Sequence, residues 1–164
     1  MVECNPFFTP VEKYLKLAFK EGNEFEYATK YRQCIGSLIY LTNTKPYISF
    51  VVGIISKCML NPCEGHWFST KRVIKYLKWT QYFGLKYTLV GDFNLIGYFN
   101  SNFDGDKENW VSSSGYIISL RSKAISWRSH KQLVPAYSII EGEYVVDVQT
   151  TKYIVWLTKF LKYL

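Results

Sequence analysis

The carboxylates Asp104, Asp106, Glu141, Glu143 and Asp147 lie in the second half of this 164-residue chain, where a strand, a hairpin and a helix follow one another. That order can bring a carboxylate at a strand end close to one in the first turn of a helix. Two-metal phosphoryl hydrolases build their site in this way, with ions about 4 Å apart clamping the attacking and leaving oxygens. Each residue also has a plainer use. Glu141 and Glu143 favour a helix N-terminus through the dipole, and Asp104 and Asp106 around Gly105 suit a loop. Cys58, Cys63 and His66 form a second cluster, spaced C-x4-C-x2-H, that invites zinc. Its order is the reverse of short zinc knuckles and no fourth ligand follows nearby. The favoured reading makes these cysteines small hydrophobes in apolar helical patterns, with reduced thiols. A third group, Lys71, Arg72, Lys75 and Lys78, lines one side of a helix and suits either a phosphate backbone or an ordinary solvated face.

The elements that position these groups follow from periodicity. Residues 1–27 mix Pro6, Pro10 and Gly22 with Lys and Glu and read as an extended lead-in, with one short helix over 11–19. Tyr31, Ile35, Leu38, Ile39 and Thr42 recur at helical spacing. Asn43 or Thr44 can cap a second helix with Pro46 in its first turn and Ile48, Val51, Val52, Ile55 and Met59 on its apolar face. Asn61-Pro62 is a break, and a third helix runs over 63–79 with Trp67, Val73, Ile74 and Leu77 inward. After Gly84 the period falls to two. Strands are predicted over 85–89, 94–99, 116–120 and 124–129, with Gly91-Asp92 and Arg121-Ser122-Lys123 as turns. Ser138 then caps a long helix, and Glu141 completes its capping box.

Composition bounds the function classes. Hydrophobic residues make up 48% of the chain and aromatics 18%, which describes a packed domain and not a disordered one. No uncharged run exceeds twelve residues, short of the ~20 apolar residues of a membrane span. The start lacks a basic n-region and an h-region, and no Arg precedes Arg32. The sequence therefore predicts an intracellular protein, cytoplasmic or nuclear by default, with an organelle left open. The net charge of +7 is divided as +5 over residues 1–80 and +2 over 81–164, which permits nucleic-acid contact without requiring it.

From Tyr31 onward the chain resembles the C-terminal part of the Pol polyprotein of copia-type plant retrotransposons. The matching stretches are Tyr31-Arg32, Ile35 to Thr42, Lys45-Pro46, Asn61-Pro62, His66-Trp67 and Lys71 to Lys78, then Ser113 to Tyr116, Ile125-Ser126-Trp127, Lys131-Gln132 and Glu141-Gly142-Glu143-Tyr144. Their order and spacing together are specific. The resemblance implies an α+β chain: a lead-in over 1–27, a helical reverse-transcriptase connection module over 28–80 and a truncated RNase H-like domain over 81–164. In that domain an antiparallel three- to four-stranded sheet packs on a long C-terminal helix.

The family's RNase H cuts RNA in RNA–DNA hybrids with Mg²⁺ held by carboxylates. The resemblance places its first metal-binding aspartate at Asn100, its next aspartate at Asn102 and its helix glutamate at Glu143. A further catalytic aspartate belongs to a fourth strand, and the sequence stops at Leu164 before that strand. A carboxylate about 4 Å from a unit charge gains about 4 kcal/mol at an effective dielectric near 20, and more from a divalent ion. An amide forgoes that gain. The expectation is a pseudo-RNase H with a degenerate site at Asn100, Asn102 and Glu143, no resident metal or cofactor, and Mg²⁺ only if hydrolysis survives. Function would come from a protein partner or a homodimer, through Leu95 and Tyr98 on an unpaired strand edge and through Tyr153, Trp156 and Phe160 on the long helix. Such a fragment suits a host-conflict or toxin–antidote setting. The alternative is nucleic-acid or RNA–DNA hybrid binding through Lys71, Arg72, Lys75, Lys78, Arg128 and Lys131.

Overall fold

The computed structural model describes residues 5, 7–11, 25–88, 94–102, 111–133 and 135–163. The chain divides into two compact units, Met1–Gly84 and Leu85–Leu164.

In the first unit, helix α1 spans Ala28–Leu41, α2 spans Ser49–Ser56 and α3 spans Glu64–Trp79, with 3-10 turns at Pro46–Ile48 and Lys57–Met59. Tyr31, Ile35 and Leu38 repeat at four- and three-residue steps, so they share the face of α1 that is buried against Ile48, Val51, Val52, Ile55 and Val73. Each of these aliphatic side chains contributes about 1.5–3 kcal/mol by leaving water. The Tyr31 hydroxyl donates to the Ile55 carbonyl at 2.6 Å, which satisfies the one polar atom of a wholly buried ring. Burial pushes its phenol well above the ordinary tyrosine range. Arg32 Nε donates to the Met59 carbonyl at 2.9 Å and ties α1 to the second 3-10 turn.

Two expectations change here. Ile39, part of the same helical repeat, is exposed, because it lies about 40° beyond Ile35 at the edge of the buried stripe. Asn43 and Thr44 do not cap the second helix. The Thr44 hydroxyl instead donates to the Leu41 carbonyl at 3.2 Å and closes α1, while Lys45 precedes the 3-10 turn that Pro46 opens. At α3 the cap is Cys63. Its backbone N–H donates to His66 Nδ1 at 3.0 Å, and its side chain accepts from the His66 backbone, so the imidazole takes the place that Glu or Gln holds in a capping box.

In the second unit, β1 (Leu95–Asn102), β2 (Ser113–Leu120) and β3 (Lys123–Lys131) form an antiparallel sheet in the order β1-β2-β3. The β2–β3 hairpin closes through Arg121 and Ser122, both in the left-handed region (φ 50° and 60°), a pair that matches the sheet's twist. Helix α4 (Ile139–Leu161) lies on one face, and its buried stripe is Gly142, Val146 and Thr150, one turn apart. The close approach needs small residues on the strand side. A methyl group at Gly97 would meet Ile154 Cδ1 and lie 3.3 Å from Thr150 Cγ2, so β1 carries glycine where α4 crosses it.

The strand predicted over 85–89 is not formed: residues 85–88 are irregular. That segment docks by a side chain instead, the Tyr87 hydroxyl donating to the Ala124 carbonyl at 2.7 Å. Among the described residues the sheet therefore has three strands, and none pairs with the outer edge of β1. The lead-in helix beyond Val11, the Gly91-Asp92 turn, Cys4, Asp104 and Asp106 lie outside the described residues. No helix among the described residues is long and apolar enough to cross a membrane.

Candidate functional site

The corner between the end of β1 and the first turn of α4 is where a strand-end group and a helix group meet. Gly142 sits against it: a methyl group there would lie 3.1 Å from Ser101 Oγ and 3.4 Å from Ser112 Oγ. The topology thus brings β1 and α4 together; Glu143 follows Gly142 on the helix, while Asn100, the chain neighbour of Ser101, turns to the opposite face of the strand. Both residues are exposed. Asn100 stands opposite Gly115 in the β1–β2 ladder, and Asn102 opposite Ser113.

Neutral hydrogen bonds hold the corner. Gln132, almost wholly buried, directs its amide nitrogen at Ser114 Oγ (2.8 Å), the Gly142 carbonyl (2.9 Å) and Ser101 Oγ (3.4 Å). Its backbone N–H donates to the Ser112 carbonyl at 2.9 Å. One side chain thus joins the end of β1, the start of β2 and the first turn of α4. Gln132 Oε1 and Ser112 Oγ are buried there with no hydrogen-bond partner among the described residues. Sequence reasoning noticed Gln132 only within a matched dipeptide. The signal it passed over is the run Ser112-Ser113-Ser114, whose alternate members point to one face of a strand.

The acidic residues of α4 are committed locally. Ser138 Oγ accepts from the Glu141 N–H at 3.1 Å, as the capping box requires. The reciprocal bond is displaced by one residue, with Glu141 Oε2 accepting from the Tyr137 N–H at 2.7 Å. Asp147 Oδ1 accepts from the Thr151 hydroxyl at 3.2 Å. Asp104 and Asp106 lie outside the described residues, so only part of the expected carboxylate set can be compared with a Mg²⁺ pair. Asn100 offers a neutral amide and Glu143 a single carboxylate, and among the described residues no three His, Cys, Asp or Glu side chains could hold a metal ion. Cys58 and His66 serve the helical core and the α3 cap. Burial, with Cys63 nearby, pushes the Cys58 thiol up to about 11, so it is protonated at neutral pH.

The cationic residues separate into different places. Lys71, Arg72, Lys75 and Lys78 follow one another along α3 in the first unit. Arg128 and Lys131 lie on β3 in the second unit and, three residues apart, alternate to opposite faces of the sheet. Burial and the nearby Arg128 hold His130 below the ordinary histidine range.

The aromatic residues assigned to an interaction surface form a row. Tyr153, Trp156 and Phe160 stack with centroids 5.5 and 5.6 Å apart and planes within 15° of parallel, and Tyr116 of β2 meets Tyr153 at 5.8 Å. Trp156 and Phe160 remain 53% and 47% exposed, and Tyr98 on β1 is 62% exposed. Leu95 is half-buried.

Neither a family profile nor a solved structure matches the chain. Curated proteins do. Secreted RxLR effector protein 161 from Plasmopara viticola is 40% identical over 129 residues, covering 78% of this chain and 91% of that protein. The retrovirus-related Pol polyprotein from transposon RE2 of Arabidopsis thaliana is 34% identical over 161 residues, 98% of this chain. That from transposon TNT 1-94 of Nicotiana tabacum is 34% identical over 171 residues, 99% of this chain. The chain spans 11% and 13% of the lengths of these two polyproteins.

Gln132→Leu tests the corner. It removes the donor to a buried carbonyl and a buried hydroxyl and should destabilise the second unit by about 1–3 kcal/mol in urea unfolding. A change within about 0.5 kcal/mol, the range of an indifferent surface site, would show that the knot does not hold the corner.

Proposed function

Because this chain belongs to the copia-type retrotransposon Pol polyprotein family, as a fragment of it, we propose that it is an RNase H-like protein without hydrolytic activity that acts by binding another protein. The proposal is supported by Asn100 on β1, where the resemblance puts the family's first metal-binding aspartate. A primary amide supplies an oxygen but no charge. Loss of even an outer partner typically costs a metal site 10–100-fold, and loss of a charged ligand costs more. Of the three positions that the resemblance singles out, Asn100, Asn102 and Glu143, one offers a carboxylate to ions that need several.

Association has its own support in the second unit. Among the described residues the outer edge of β1 has no pairing strand, and Leu95–Asn102 carries no charged residue. Ile96 and Tyr98 are exposed on it, and the row formed by Trp156 and Phe160 adds apolar surface of the kind found at interfaces. A second copy or a strand from a partner would extend the sheet there. The Plasmopara relative bears the name of a secreted effector, which favours a host-conflict setting, and a toxin–antidote pairing would be one form of it. We place the site of action inside a cell, in cytoplasm, nucleus or an organelle.

A second reading is favoured by the unbroken series Lys71, Arg72, Lys75 and Lys78 on α3: the first unit binds a nucleic-acid backbone without cutting it.

Incubation with a labelled RNA–DNA hybrid and Mg²⁺ is expected to give no cleavage above buffer, with Glu143→Gln indistinguishable from the parent chain. Metal-dependent cutting abolished by Glu143→Gln would overturn the inactive reading. Sedimentation of the chain, alone and in extract from its source, is expected to show a mass above the monomer that Tyr98→Lys reduces. A monomer with no captured protein would overturn the binding reading.

A further inference from the structure

The cationic side of α3 already has an occupant, and it comes from the chain itself. The Phe7 ring lies between two cations, with the Arg72 guanidinium 4.5 Å and the Lys75 ammonium 5.4 Å from its centroid. Arg72 Nε donates to the Thr9 carbonyl at 3.2 Å, and its Nη2 to the Thr9 hydroxyl at 2.9 Å. Phe8 meets the Trp79 ring edge-on at 5.2 Å, at the far end of the same helix. Residues 7–9 therefore hold α3 at three points, across 63 residues of sequence.

The chemistry of these contacts is that of a stand-in. A carbonyl and a hydroxyl occupy the fork of a guanidinium, whose geometry matches two oxygens of a phosphate. The two Thr9 acceptors are neutral, and both of their bonds are exposed to water. A charged acceptor makes a hydrogen bond roughly twice as strong as a neutral one. Phosphate oxygens would thus outcompete Thr9 for Arg72, and losing Thr9 would leave Phe7 with a weak exposed contact.

We propose that residues 7–9 form an internal strap over α3 that a nucleic-acid backbone must displace to reach Arg72 and Lys75. The proposal rests on the nucleic-acid reading of α3. Strap closure lowers the fraction of molecules with the surface open, and apparent affinity falls by that fraction. Lys71 is outside the strap. Its ammonium lies 5.4 Å from the centroid of the Trp67 ring, against which Phe25 stacks at 5.0 Å. Lys71 therefore offers a first electrostatic foothold before the strap opens.

The test uses the full chain and a fluorescent 20-mer RNA–DNA hybrid over a salt series. Phe7→Ala with Thr9→Ala is expected to bind roughly three- to tenfold more tightly than the parent. The Trp79 indole resonance supplies a readout in the parent chain, since it should shift when Phe8 leaves the ring on hybrid binding. Equal or weaker binding by the double variant, or an unshifted Trp79 signal in the bound parent, overturns the strap and leaves nucleic-acid binding standing. No binding by either form at low salt overturns the nucleic-acid reading of α3 and the strap with it.

Discussion

The bond from the Gln132 amide to the Gly142 carbonyl, 2.9 Å long, fixes where α4 begins relative to the sheet. The same nitrogen reaches Ser114, and Gln132's backbone holds Ser112, so the open ends of β1 and β2 and the first turn of the helix form one polar knot. Gly142 and Gly97 make the approach close enough for that knot to form. Each hydrogen bond of the knot offsets part of the cost of burying it, whereas a cluster of carboxylates at the same corner would need cations to offset its repulsion. Among the described residues the corner is closed by neutral groups, with Gln132 Oε1 and Ser112 Oγ left without a partner. Asn100 belongs to the same pattern: an amide on that strand adds no charge for a cation to balance.

The first unit follows a different logic. Its core is aliphatic, closed by one buried tyrosine whose hydroxyl finds a carbonyl, and by a histidine that caps a helix. The cationic excess of residues 1–80 is concentrated outward on α3, where aromatic rings partly answer it. Such contacts stabilise by about 0.5–1 kcal/mol at exposed positions, enough to order a short segment and little enough to be reversed. The two units carry different surfaces, a cationic α3 in the first and an uncharged β1 in the second.

Periodicity located α1, α3, the hairpin and the start of α4, because each has a strong repeat bounded by a cap or turn residue. Tyr31, Ile35 and Leu38 were legible as a buried stripe for that reason, and Ser138 as a cap. What failed had competing uses that only tertiary contacts decide. Residues 85–88 alternate like a strand, yet among the described residues no neighbour offers them a ladder, and the Tyr87 hydroxyl anchors them. Thr44 is as good a closer of one helix as an opener of the next. Gln132 drew little notice because a lone glutamine has no pattern; its importance comes from three partners 10 to 31 residues away. The strap was invisible for the same reason, since nothing local marks Thr9 as a partner for a residue 63 positions on.

Manganese is the direct probe of the charge deficit at the β1–α4 corner, because its unpaired electrons broaden the resonances of any group that binds it. In a titration of the isotope-labelled chain, the account predicts no selective broadening of the Asn100, Ser101 and Glu143 amides at submillimolar metal. Selective loss of those three signals would mean that the corner still holds a divalent ion, and would contradict the account.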